Sequence, residues 1–166
     1  MAHAAIDIHT HILPPGWDDW AARYGVQGWP SCRLHDACNA TIYLGEKEFR
    51  RIDERSYSPA RRIADMDAES IGLQMISPVP VMLCYWGAPE ATDAFARMQN
   101  DFIAGVVQKH PDRFAPAGTV ALQDTQLAVR ELTARDTASA IVKTSSNTET
   151  GKEGKKKKKN LMEAAG

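Results

Sequence analysis

Two histidines separated by a single residue, His9 and His11, follow a short apolar run near the start of a 166-residue chain. The run, Ala4 to Ile8, is apolar and β-branched and reads as a buried strand. Residues two apart in a strand share a side, so the two imidazoles project together. Asp7 and Thr10 are expected to point the other way, in structural roles. Pro14, Pro15 and Gly16 then interrupt regular structure. Two neutral imidazoles at the C-terminal end of a strand make a partial site for zinc or another borderline metal. The competing reading is a half-buried strand face bonded to water or backbone. A catalytic zinc normally takes three protein ligands and keeps one position open, so the pair needs further ligands from elsewhere. His3, His35 and His110 have no partner at a useful spacing, and Cys32, His35 and Cys38 match no common zinc pattern. Arg50 offers a planar fork of donors suited to a carboxylate. On residue type alone, it belongs to a solvated charged run from Glu46 to Arg51.

These side chains need a scaffold. From Trp17 to Arg55 no 3.6-residue period persists, and three tryptophans, several glycines and a candidate strand at Thr41 to Leu44 predict a loop-rich insertion with a small antiparallel sheet. Ser58 and Pro59 open a helix over Ala60 to Ser70, with Gly72 as its stop. Leu73 to Val79 reads as a second buried strand. Ala91 to Lys109 reads as a helix with Phe95, Met98, Phe102 and Val106 on one stripe. Phe114 to Val120 is a third strand. A third helix starts at Asp124, a candidate cap, and runs to Leu132, with Leu127 and Val129 facing inward. Alternating strands and helices predict an α/β fold with parallel strands.

Composition narrows the class. The chain is 43% hydrophobic and 25% charged, ordinary for a globular domain, and its net charge of -1 averages two unlike parts. Residues 133–166 hold eight basic and four acidic side chains, leaving twelve basic and seventeen acidic in the first 132. An acidic body does not suit nucleic acid or an anionic membrane. No apolar run approaches the roughly 18 residues of a membrane span, and three cysteines without a Cys-x-x-Cys unit suit reduced thiols, so a cytosolic protein is expected. Residues 133–166 lack aromatic residues and proline and include five consecutive lysines. They read as a divergent, disordered tail after a domain over 1–132.

Several stretches occur in order: IDIHTHILPPGW from Ile6, EFRRI from Glu48, YSPARRIADMD from Tyr57, SPVPVMLCYW from Ser77 and MQNDF from Met98. Together they resemble the first part of decarboxylases of the amidohydrolase superfamily. The resemblance implies the N-terminal part of a (β/α)8 TIM-like barrel, incomplete here, with a small β insertion over about 14–55. It implies His9 and His11 as ligands of one divalent metal, zinc, without an organic cofactor. Arg50 matches the residue that contacts a substrate carboxylate, with Arg51 a weaker candidate, and Met82, Tyr85 and Trp86 match a pocket wall. The implied activity is non-oxidative decarboxylation of a small dicarboxylate in the kynurenine branch of tryptophan catabolism, by a homodimer. A related decarboxylase of aromatic acids, or a hydrolase, is the alternative within the superfamily. The family's later histidine ligand, its catalytic histidine and its metal-binding aspartate have no counterpart, and no histidine follows His110. A truncated product, inactive alone, is therefore expected, with a non-catalytic role as the rival reading.

Overall fold

The computed structural model describes residues 5–136. Two small sheets share it. The strands β1 (Ala5–His11), β5 (Ile71–Ser77) and β6 (Phe114–Pro116) form a parallel sheet in the order β1-β5-β6. Between β1 and β5, the strands β2 (Pro30–Leu34), β3 (Asn39–Leu44) and β4 (Lys47–Asp53) form an antiparallel sheet. The expected insertion is therefore present, with more strand than the single candidate at Thr41 to Leu44. It also contains a short helix, α1 (Trp20–Tyr24), whose N-terminal amides are met by Asp19.

Helices connect the parallel strands as the alternation requires. Helix α2 (Pro59–Ala68) starts where Ser58 and Pro59 direct it, the Ser58 hydroxyl accepting from the Arg61 amide at 3.3 Å. It does not stop at Gly72. Ser70 takes the left-handed backbone, φ 59°, that ends the turn, and Gly72 lies inside β5. Helix α3 (Pro89–Lys109) buries Phe95 and Val106 fully, while Met98 and Phe102 are half-buried at the margin. A further helix, α4, spans 125–136, capped by Asp124, which accepts from the amides of Gln126 and Leu127 at 2.9 Å. This helix continues past 132 to the end of the described residues, so 133–136 are helical. The disordered tail expected beyond them lies outside the described residues. Val129, expected to face inward, is exposed, because Ala128, Glu131 and Arg135 take the face toward α3.

Two clusters make the core. One joins the insertion to the first half of α3: Trp20, Trp29, Ile42, Tyr57, Met82, Cys84 and Phe95. The ring of Phe95 stands 5.0 Å from Trp20, 5.5 Å from Trp29 and 6.1 Å from Trp17. The other, made by Ile12, Met66, Ile76, Ile103, Val106 and Phe114, fastens α2 and α3 to one face of the parallel sheet. The opposite face has no helix over it among the described residues.

Which side chains reach that open face depends on register. Thr10 pairs with Ile76 and His11 with Ser77, whereas Asp7 pairs with Gln74, so β1 carries one extra residue between Asp7 and Thr10. Strict alternation would put Asp7 on the side of His11. The bulge instead places Asp7 and Thr10 together, on the helix-covered face of Gln74 and Ile76, as expected. Asp7 accepts from Gln74 Nε2 at 3.3 Å and the Thr10 hydroxyl donates to the Met75 carbonyl at 2.9 Å. One expectation fails on this strand. Among the described residues β1 is an edge rather than a buried strand: Ile6 and Ile8 are 63% and 69% exposed.

Candidate metal site at the end of the parallel sheet

His9 and His11 stand at the C-terminal end of β1, the end where open α/β sheets carry their sites. Their ring centroids are 5.3 Å apart and the planes nearly perpendicular, 87°. A tetrahedral zinc bound by two imidazole nitrogens at 2.0–2.1 Å sets their centroids about 5 Å apart, so the pair has the separation of two ligands of one ion. His11 is held at two points. Its Nδ1 meets the Ser77 hydroxyl at 2.9 Å, and its carbonyl accepts from Arg62, a half-buried guanidinium on α2. Arg62 also donates to the Arg55 carbonyl at 2.7 Å and to Gln74 at 3.2 Å. Burial lowers the pKa of Arg62 from its ordinary value, the cost of bringing a cation beneath the strand. The backbone amide of His9 donates to Asp7 Oδ1 at 3.2 Å, closing the bulge.

Among the described residues no group of three or more histidine, cysteine, aspartate or glutamate side chains converges on one point. The pair fits a metal as two of its ligands and needs others from outside these residues.

The remaining candidates fall into two groups. Arg50 is exposed on β4, on the same sheet face as buried Ile42, its register partner, with its guanidinium 5.8 Å from the Phe49 ring. Among the described residues no ion pair engages it, and it does not touch the two histidines. Its neighbour Arg51 is tied to Glu48 at 3.1 Å on the other face, which leaves Arg50 the freer cation. Tyr85 and Trp86 are exposed in the loop after β5, at the same end of the sheet as the histidines. The Tyr85 hydroxyl bonds Thr119 at 3.2 Å, and the Trp86 ring sits 5.0 Å from Trp29. Met82 is fully buried among the rings packed on α3, deeper than Tyr85 and Trp86.

The loop carrying those aromatics is fixed by polar contacts that local sequence does not announce. Asn100 donates to the Thr119 carbonyl at 2.8 Å and to Glu131 at 2.9 Å, and accepts from the Thr119 amide at 2.9 Å. Glu131, buried, also takes Arg135 at 2.6 Å and Arg97 at 3.5 Å. A Cβ at Gly87 would lie 2.8 Å from the Trp29 ring, so only glycine lets the loop pass there. Two open clefts, about 410 and 480 Å³, lie elsewhere: one beside His35 and Arg51, one beside Trp17 and Arg97. Neither includes His9 or His11. No helix among the described residues is long and apolar enough to cross a membrane.

The class of fold is an α/β one, and it has a solved neighbour. The crystal structure of Metarhizium anisopliae IDCase in apo form matches 80% of this chain and 39% of its own, at a TM-score of 0.61 and 19% identity. No protein-family model matches the chain. Closer in sequence are proteins named 2-amino-3-carboxymuconate-6-semialdehyde decarboxylase, and it is these that the chain resembles. That of Dictyostelium discoideum is 39% identical over 127 residues, 76% of this chain and 35% of the relative. That of Caenorhabditis elegans is 36% identical over 126 residues, 75% and 31% of the two chains. The Sus scrofa protein is 42% identical over 50 residues, 30% of this chain and 36% of the relative. The chain thus spans about a third of the length of the curated relatives it matches.

Proposed function

We propose that this chain supplies the first metal-binding strand of a non-oxidative decarboxylase acting on 2-amino-3-carboxymuconate 6-semialdehyde, built on a (β/α)8 barrel of the amidohydrolase type. The observation that carries the reading is the similarity to three proteins of that name, joined to a pair of imidazoles at zinc-ligand separation. A bound divalent ion such as zinc supplies Lewis acidity and an acidified water. The chain's own residues have separate tasks. His9 and His11 hold the ion. Arg50, exposed on β4, takes a substrate carboxylate through its fork of donors. Tyr85 and Trp86 wall the planar conjugated substrate and exclude water. The 166 residues alone, with two converging histidines and no histidine after His110, are expected to be inactive.

The test grafts the matched residues into the Dictyostelium relative, following loss of the semialdehyde chromophore and release of carbon dioxide. Retained turnover supports the reading, and His9→Ala in the graft should lower kcat/KM on the order of 100-fold or more. A graft that folds and turns over a hydroxybenzoate instead would move the substrate to an aromatic acid. A folded graft with neither activity defeats the proposal, as does carbon dioxide release by the 166-residue chain with zinc for the claim of inactivity.

A further inference from the structure

The contact between His11 and Ser77 carries more information than its length. The Ser77 hydroxyl has one hydrogen and two neighbours at 2.9 Å, His11 Nδ1 and the Thr10 carbonyl oxygen. A carbonyl can only accept, so the hydroxyl hydrogen belongs on the line to Thr10. If His11 Nδ1 were also unprotonated, its lone pair would face the serine oxygen with no hydrogen between them. Both short contacts are satisfied in one way only: Nδ1 carries a proton and donates it to Ser77. The other ring nitrogen, Nε2, is then the one with a free lone pair.

We infer that Ser77 is a positioning residue that sets the tautomer of His11, so that Nε2 is presented to the metal. The inference rests on the reading of His9 and His11 as a metal pair for its use, though not for the tautomer itself. Isolated neutral imidazoles prefer the proton on Nε2, so a strand histidine without such a partner must reverse its tautomer before binding through that nitrogen. Ser77 removes that step in advance. The bulge in β1 makes the contact possible: the extra residue before Thr10 brings His11 into register with Ser77 on the open face of the sheet. The Arg62 bond to the His11 carbonyl holds the same residue from behind, so backbone and ring are fixed independently. The hydrogen bond made by one ring nitrogen commonly decides which nitrogen a metal takes.

Two readings of the 166-residue chain separate the parts. Nitrogen-15 chemical shifts of the His11 ring, in metal-free protein about two pH units above the ordinary imidazole value of about 6.5, report the tautomer directly. Wild type is expected to show a protonated Nδ1. Ser77→Ala should return the ring toward protonated Nε2, and Ser77→Thr, which keeps the hydroxyl, should restore the wild-type pattern. Circular dichroism checks that the variants fold. A protonated Nε2 in wild type, or shifts unmoved by Ser77→Ala, would overturn the inference. Zinc titration against a chelating dye is the second reading. Ser77→Ala should weaken binding by about 10- to 100-fold, with Ser77→Thr near wild type. Equal affinity in all three removes the consequence for the metal. Wild type that binds no zinc accords with a pair that needs further ligands, and the shifts then decide on Ser77.

Discussion

Phe95 and Ile8 are both large apolar residues in regular elements, yet one is fully buried beside three tryptophans and the other is 69% exposed on an edge strand. The regions around them differ in the same way. Around Phe95, the insertion closes over α3 with rings from Trp17, Trp20 and Trp29, and Met82 and Cys84 fill the floor. Around Ile8, among the described residues, β1 has a strand on one side and helices on one face. The burial that holds the described residues together is therefore concentrated away from the strand that carries the candidate chemistry. That strand is held mainly by its ladder to β5, the Ile12 anchor and a few directed polar contacts.

The contrast can be broken by substitution. Phe95→Ala removes the ring on which the insertion converges and should cost about 3–5 kcal/mol, read as a lower urea midpoint with early loss of tryptophan fluorescence. A cost under about 1 kcal/mol would mean that the aromatic cluster is not the stabilising centre. Cys84 sharpens the same side. Burial pushes its thiol from an ordinary 9.0 up to about 12, so the folded chain keeps it neutral where the unfolded chain ionises. Its contribution to stability is complete below about pH 9 and is lost as pH rises toward 12. Urea midpoints should fall over that window, and the fall should be shallower in Cys84→Ala. The smallest effect belongs to the other region: Ile8→Thr should change stability by no more than about 0.5 kcal/mol. A loss above 1 kcal/mol on the same urea curves would show that something covers this edge.

Much of the scaffold was legible because it is written in local chemistry. Ser58-Pro59 opens α2, Asp124 opens α4, and the apolar spacing from Phe95 to Val106 marks α3. The histidine pair was legible from side-chain period, although the bulge that makes Asp7 and Thr10 share a face was not. β4 was hidden because EKEFRRIDE reads as a charged run; it is a sheet edge exposed at nearly every residue, where polar side chains are no obstacle to a ladder. The depth of Met82 was not legible either, since the resemblance that marks its position says nothing about burial. Ser77 gave no signal at all. A serine at the end of a strand is unremarkable until register sets it opposite His11, 66 positions earlier.

That separation bears on how the chain assembles. The antiparallel sheet pairs near neighbours, Leu34 with Ala40 and Asn39 with Asp53, whereas Ala5 waits for Ile71 and His11 for Ser77. Closing short loops is fast and closing long ones slow. On a ribosome, β1 emerges ahead of the insertion, and its partner strand is made only after the whole insertion has appeared. The hairpins and their tryptophans can gather while Ile6 and Ile8 still have nothing to pair with. A strand synthesised well before its partner is thus among the last to be locked, and the interval before Ser77 arrives is when it is most open to pairing with the wrong neighbour.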